Sequence, residues 1–277
     1  MHMLGLDEFL KAALIEDLGS GDVTTDACVS QEGKSTAYFI AKEAGVVCGL
    51  EVVRRVFSLV DENLRLQCFV TEGQAVAIGT KIAEISGLSA GILKGERLAL
   101  NLLQRLSAIA TKTAWAAGEV VGTGAKICDT RKTTPLMRGL EKYAVRTGGG
   151  QNHRFGLYDG VMIKDNHIVA AGGIAAAVEK VRAHVPHTLK IEVETQNLAQ
   201  VKEALDAGAD IIMLDNMEID EMREAVIEIA GQAVVEASGN MDRRSLREVA
   251  KTGVDYISIG ALTHSVKALD ISLKFVI

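Results

Sequence analysis

Aromatic residues are scarce in this 277-residue chain, with one tryptophan, four tyrosines and six phenylalanines, so the core it builds is aliphatic. A long apolar run is missing as well. No segment approaches the ~20 residues of a membrane-spanning helix. Asp7, Lys11, Glu16 and Asp17 interrupt the stretch where a signal peptide requires an unbroken apolar core. These absences predict a cytoplasmic protein with no membrane partner. The four cysteines, Cys28, Cys48, Cys68 and Cys128, have neither the density of a secreted disulfide framework nor the close pairing of a zinc site. Buried free thiols in a reducing compartment are expected instead. A basic excess is also absent. The formal net charge of −6 argues against nucleic acid as a partner, while a cationic pocket on an acidic protein can still focus a small anion.

What is present is globular material, 48% hydrophobic and 24% charged. At this length an α/β barrel beside a smaller domain is the natural arrangement. Leu6 to Leu18 reads as a short amphipathic helix, and in the following GSGDVTT either Asp22 or Thr24 is placed to cap the next element. From Lys34 to Gly87 short β-type runs separated by glycines predict an open antiparallel sheet. A long helix is expected from Ile92 to Val120, with Leu98, Leu102, Leu106 and Ile109 as its apolar stripe. Arg97 and Arg105 lie within about a quarter turn of each other on that helix. Arg97 reads as a solvated surface arginine.

After Gly122 the rhythm becomes strand then helix. Six apolar runs, AKICDT, GVMIKDN, LKIEVET, DIIMLDN, QAVVEASG and DYISIGA, are mostly separated by amphipathic helical patterns. Strands joined this way run parallel under a cover of helices. A polar residue ends each run: Asp129 with Arg131 and Lys132, then Lys164, Glu194, Asp215, Ser238 with Asn240, and Gly260 with His264. In a parallel barrel the strand C-termini form the face that carries the active site, so these residues should converge. Arg supplies a planar fork and Lys a compact charge. Arg131, Lys132, Arg154 and Lys164 are too many cations for a neutral substrate. Glu194 and Asp215 suit sugar hydroxyls, substrate-borne metal or positive charge developing at a sugar carbon; each could also simply pair with Lys132 or Lys164. The loops Ala237–Asn240 and Ile259–Ser265 offer backbone N–H groups to phosphate. The triplet Gly148–Gly150 allows close backbone approach to a ligand, and His153 is placed to donate to an anion or to tether its loop. His184 and His187 flank Pro186 and read as uninvolved.

The segments DTRKTTP (from Asp129), EKYAVRTGGGQNHRFGLYDGVMIKDNHI (from Glu141), IEVET (from Ile191), IIMLDN (from Ile211) and EASGN (from Glu236) closely resemble the quinolinate phosphoribosyltransferase family, and the likeness runs nearly end to end. It implies an N-terminal open-faced α/β sandwich domain over 1–110, an incomplete α/β barrel over 111–267, and a tail, 268–277, packing near the first domain. It implies transfer of phosphoribose from phosphoribosyl pyrophosphate to quinolinate with decarboxylation, in a homodimer or larger homo-oligomer whose partner subunit supplies Arg105. Arg131, Lys132, Arg154 and Lys164 would hold the substrate anions, with Thr130 beside them and His153 assisting. Glu194 and Asp215 would face the ribose and, indirectly, the Mg²⁺ carried by phosphoribosyl pyrophosphate. Ser238, Gly239 and Asn240, with Ile259, Gly260, Ala261 and His264, would take phosphate. Lys132, Lys164, Glu194 and Asp215 would act in catalysis, and Asp129 would anchor the neighbouring cations. Two departures stand out: Leu136 follows Pro135 where the family usually has glycine, and Thr147 stands where cysteine is common. Competing readings are a relative acting on nicotinate or another ring without decarboxylation, a Schiff-base lyase using Lys164, and a catalytically silent phosphate-binding protein.

Overall fold

The computed structural model describes residues 5–276, which divide into two compact units. The first comprises the chain through Ala114, Thr134–Gly148, and the stretch from Val266 onward. It begins with α1 (Leu6–Leu18), whose Leu6, Leu10 and Leu14 form a buried stripe at fourfold spacing. Asp22 caps α2 (Val23–Cys28) by accepting the Thr25 N–H at 3.0 Å. Then follow β1 (Lys34–Ala41), β2 (Gly45–Val46), α3 (Leu50–Val60), β3 (Arg65–Cys68), β4 (Ala75–Val76), β5 (Lys81–Leu88) and α4 (Ser89–Glu119). The unit is completed by α5 (Arg138–Thr147) and by the last strand of the chain, β12 (Ile271–Phe275). Its main sheet has the order β12-β1-β5-β3, antiparallel throughout.

An all-β reading of Lys34 to Gly87 missed α3. Its Val-rich sequence has strand propensity, but Leu50, Val52, Val53, Val56 and Phe57 are buried along one helical side, and packing overrides local preference. The helix starts at Gly49, where φ is 111° and an added Cβ would meet Leu106 at 3.0 Å. The Glu72 carboxylate accepts the N–H groups of Gly49 and Leu50, which a helix start otherwise leaves unpaired.

Three details go beyond the expected outline. Residues 134–148 lie inside the span expected for the barrel, yet they pack with the first unit. Arg105 on α4 donates to the buried Glu141 on α5 at 2.8 Å and to the Thr134 hydroxyl at 2.7 Å. Gly148 lies so close to α4 that a Cβ there would sit 2.4 Å from the Ala110 carbonyl oxygen; this glycine serves packing rather than ligand approach. The thiols also differ from expectation. Cys48 and Cys128 are buried, whereas Cys28 is exposed and Cys68 half-buried. None of the four forms a disulfide among the described residues, and burial pushes the Cys48 thiol well up.

The second unit, Trp115–Thr133 with Gly149–Ser265, holds six parallel strands. In chain order these are β6 (Lys126–Cys128), β7 (Val161–Ile163), β8 (Ile191–Thr195), β9 (Ile211–Asp215), β10 (Val234–Ser238) and β11 (Tyr256–Ser258). Helices follow the strands from β7 onward: α6 (Asp165–Ala171) and α7 (Ile174–His184), α8 (Leu198–Asp206), α9 (Ile219–Ile229), α10 (Leu246–Ala250) and α11 (Ala261–His264). The sheet order is β6-β11-β10-β9-β8-β7. The first strand therefore pairs with the last, and an open seam remains between β6 and β7, as an incomplete barrel requires. Asp210 and Asp255 each accept the N–H of a neighbouring strand, from Ile191 and Val235, both at 2.8 Å. These bonds set the register at the strand starts.

Leu136 has φ of 64° and is 89% exposed. Left-handed backbone costs a side-chain-bearing residue about 1–2 kcal/mol, which explains glycine as the residue the resemblance leads one to expect there. Leu136→Gly should raise stability by ~1 kcal/mol, after about 0.5–1 kcal/mol is lost to the extra chain entropy of glycine. Denaturant unfolding of both proteins measures the difference, and a destabilised variant would refute the strain argument.

Candidate active site

A cavity of about 700 Å³ opens at the C-terminal ends of the six strands. Thr130, Arg131 and Lys132, from the loop after β6, line one part of its wall. His153 and Arg154 reach it from the segment before β7, and Lys164 from the end of β7. Glu194 and Asp215 stand at the ends of β8 and β9. Ser238, Gly239 and Asn240 follow from β10, then Ile259, Gly260, Ala261 and His264 from the β11 end. The strand-end residues expected to converge do so. Arg105, in the first unit, is not among the described residues that line this cavity.

Asp129 is fully buried. Its carboxylate accepts the Asn152 side-chain amide at 2.5 Å and the His153 N–H at 2.9 Å. It anchors the segment that brings His153 and Arg154 to the wall. The loop after β6 is tied twice: Lys132 N–H donates to the Thr130 hydroxyl at 3.0 Å, and the Thr263 hydroxyl donates to the Lys132 carbonyl at 2.7 Å. Gly260 faces Lys132 so closely that a Cβ would lie 2.9 Å from the lysine Cδ.

Arg131 and Arg154 are close enough that Arg131 lowers the proton affinity of the Arg154 guanidinium, an effect second to burial. Like charges held together at a cavity wall call for an anion between them. Arg154 donates to the Gly160 carbonyl at 2.9 Å, which fixes its fork. Lys164 Nζ lies 2.7 Å from Glu194 Oε2. Thus the ion pair expected as an alternative for Glu194 forms, and it forms on the cavity wall. Asp215 accepts the Asn216 amide at 2.8 Å. His153 departs from the role of a simple anion donor, since its Nε2 faces Glu192 and Glu236 rather than open cavity space.

The loop after β10 is built around Gly239. Its φ is 95°, and an added Cβ would lie 2.3 Å from Asn216 Oδ1 and 2.7 Å from the Asn216 nitrogen. Asn216 and Asn240 are also left-handed, at φ 58° and 50°, and the Asn240 amide donates to Asn216 Oδ1 at 3.0 Å. Ser238, Gly239 and Asn240 of this tight turn line the cavity, and turns of this kind offer backbone N–H groups to anions. The sequence reading missed Arg243, which also lines the wall. Its signal was the MDRR run immediately after Asn240, which places two arginines directly behind the glycine turn.

Fold and site together define an α/β-barrel protein whose strand ends line one cavity with arginines and lysines. Residues 109–274 match the family model "Quinolinate phosphoribosyl transferase, C-terminal domain", and residues 22–107 match its N-terminal counterpart. The chain is 47% identical to a probable nicotinate-nucleotide pyrophosphorylase (carboxylating) of Bacillus subtilis, covering 99% of this chain and 94% of the relative. It is 43% identical to a mitochondrial quinolinate phosphoribosyltransferase (decarboxylating) of Nicotiana tabacum, over 97% of this chain and 82% of that one. The crystal structure of NadC from Streptococcus pyogenes superposes with a TM-score of 0.94 at 43% identity, covering all of both chains. The chain belongs to the quinolinate phosphoribosyl transferase family and is a transferase.

Gly239→Ala should force the turn open. The left-handed backbone and the collision with Asn216 together cost on the order of 1–3 kcal/mol. Calorimetric titration with inorganic pyrophosphate is expected to show affinity reduced about tenfold or more, because a misplaced cradle loses several N–H contacts at once. Unchanged affinity would remove this loop from the anion site.

Proposed function

We propose that the chain transfers the phosphoribosyl group of phosphoribosyl pyrophosphate to the ring nitrogen of quinolinate, releasing pyrophosphate and CO2 and forming nicotinate mononucleotide for NAD biosynthesis. The observation that carries this reading is the Arg131 and Arg154 pair, with Lys132 and Lys164 beside it on one wall. Two guanidinium forks suit the two adjacent carboxylates of a pyridine diacid. The names of the Bacillus and Nicotiana relatives agree with it.

On this reading Arg131 and Arg154 bind the carboxylates, with Thr130 beside them. Ser238–Asn240, Ile259–Ala261, His264 and Arg243 hold phosphate. The pyridine nitrogen uses its lone pair to form the new C–N bond at the anomeric carbon, while the C–O bond to pyrophosphate breaks and its electrons leave with pyrophosphate. Lys132 and Lys164 stabilise that departing charge, and Glu194 and Asp215 offset the positive charge developing on the ribose. Mg²⁺ enters with phosphoribosyl pyrophosphate as part of the substrate, supplying charge to the leaving group; Glu194 and Asp215 face it through the substrate. The C–C bond to the 2-carboxylate then breaks and CO2 leaves. The electron pair stays on the ring carbon beside the pyridinium nitrogen, and that carbon takes up a proton.

Arg105 enters the reading as a ligand given by a second copy of the chain, in a homodimer or larger assembly. Residence in the cytoplasm goes with four cysteines that form no disulfide among the described residues. A nicotinate-specific transferase would need a fork for one carboxylate, which the paired arginines exceed. A Schiff-base lyase needs a desolvated neutral lysine, whereas Lys164 is in an ion pair with Glu194.

Purified protein mixed with quinolinate, phosphoribosyl pyrophosphate and Mg²⁺ should yield CO2 and nicotinate mononucleotide. Product from nicotinate but none from quinolinate would overturn the reading. Arg131→Ala should lower kcat/KM roughly 10²-fold, the equivalent of about 3 kcal/mol for charge-assisted hydrogen bonds. Mixing Arg105→Ala with Arg131→Ala subunits should restore activity in verified heterodimers, because one complete site can then form. Failure of that complementation would place Arg105 outside the partner's site.

A further inference from the structure

Strand alternation turns two glutamates into the interior of the second unit, where the chemistry above makes no use of them. Glu192 on β8 and Glu236 on β10 are 3% and 4% exposed. Each has one oxygen, Oε1, that is buried without a hydrogen-bond partner. Their other oxygens converge on one imidazole: His153 Nε2 lies 3.0 Å from Glu192 Oε2 and 3.6 Å from Glu236 Oε2. The three atoms fall within 4.8 Å of one another, a spacing that either a divalent cation or a proton could bridge.

The far side of the ring distinguishes the two. The Arg154 backbone N–H donates to His153 Nδ1 at 2.7 Å. Nδ1 therefore holds a lone pair, so the ring is neutral and carries its proton on Nε2. A protonated Nε2 cannot ligate a metal. It is instead a donor aimed at Glu192, the nearer of the two carboxyl groups. A second carboxylate beside it, away from water, would be strongly disfavoured.

We propose that Glu236 is a buried carboxylic acid that holds its proton beside Glu192 until the pH reaches neutrality. This pair fixes the tautomer of His153 and, through Nδ1, the main chain of Arg154 at the cavity wall. The groups facing Glu236 are Glu192 from β8, His153, Asp129 from the end of β6, and the Ser258 hydroxyl from β11. Burial above all, then the Glu192 charge, pushes the Glu236 carboxyl up to about 7, against the weaker opposing effect of the Ser258 hydroxyl. Arg154 in turn feels the charge of Glu192. Glu192, Glu236 and His153 are thus positioning residues. A second cavity, of about 410 Å³, reaches the same three side chains from the strand starts, past Lys190, Val234 and Tyr256. It gives the pair a route to solvent protons that substrate in the main cavity does not block. The consequence for quinolinate binding rests on the function proposed above; the protonation state does not.

The sign of the pH effect follows from linkage. The carboxyl is raised from its ordinary 4.5 to about 7, so its contribution to stability is complete below the lower value and lost as pH rises through the upper one. Relative to Glu236→Gln, which cannot ionise, the folding constant of the unsubstituted protein should fall by up to about tenfold per pH unit across that window and level off above it. Infrared difference spectra of the unsubstituted protein should show a protonated-carboxyl band that titrates near neutrality and is absent from Glu236→Gln. Glu192→Gln should move that titration to lower pH by removing the neighbouring charge. The KM for quinolinate should rise above pH 7 in the unsubstituted protein and stay flatter in Glu236→Gln, with kcat less affected. Absence of the band together with parallel stability profiles would overturn the proposal. So would one divalent metal ion per purified chain that Glu236→Gln abolishes. A titrating band with a KM that ignores pH would overturn the positioning role, and the infrared and stability measurements remain decisive even if quinolinate proves not to be the substrate.

Discussion

The second unit depends on one pairing, that of the first strand of its sheet with the last. β6 lies parallel to β11, with Lys126 opposite Tyr256, Ile127 opposite Ile257 and Cys128 opposite Ser258. Because parallel strands all end on one side, this register places the cationic loop after β6 directly beside the turn after β11. That is why Lys132 meets Gly260 and why the Thr263 hydroxyl can hold the Lys132 carbonyl. Pairing β6 with β7 in its place would bring Lys132 beside Lys164 and separate it from the glycine-bearing turns. The open seam is the structural cost of the arrangement.

Charge is handled at two depths. At the wall, Arg131 and Arg154 repel each other while Lys164 rests on Glu194, so the cationic charge there is only partly balanced by neighbouring acids. Beneath the wall, Asp129, Glu192 and Glu236 are buried acids. Asp129 meets its need for donors through the Asn152 and His153 N–H groups, whereas the two glutamates share one imidazole. An acidic protein can therefore present a cationic surface to its ligand, with part of its negative charge withdrawn into the interior.

The sequence was most legible where periodicity and punctuation agreed. Helix α1 follows from spacing alone, as do the six parallel strands, because each apolar run ends in a polar or turn residue; the cap was narrowed to Asp22 or Thr24, and the Asp22 side chain takes it. It was least legible where tertiary contact overrode local preference. The Val-rich α3 has the composition of a strand, and its start depends on Glu72, 23 residues beyond Gly49. Gly148 resembles a ligand-loop glycine until its contact with Ala110 is seen. Thr134–Gly148 lies between two barrel strands in the chain, and nothing local reveals that Glu141 answers Arg105. Glu192 and Glu236 sit at alternate positions of apolar strands, where a buried acid and an exposed one have the same one-letter signal. Only the converging His153 distinguishes them.

Neither unit is a continuous stretch of chain. The boundary is crossed after Ala114, Thr133, Gly148 and Ser265, and β1, near the beginning, takes its outer neighbour from β12 at 271–275. During synthesis the first sheet must wait, with one edge unpaired, until the whole second unit has been made. The two units are consequently coupled in time as they fold, and a cut anywhere between them would leave one lacking a piece of itself.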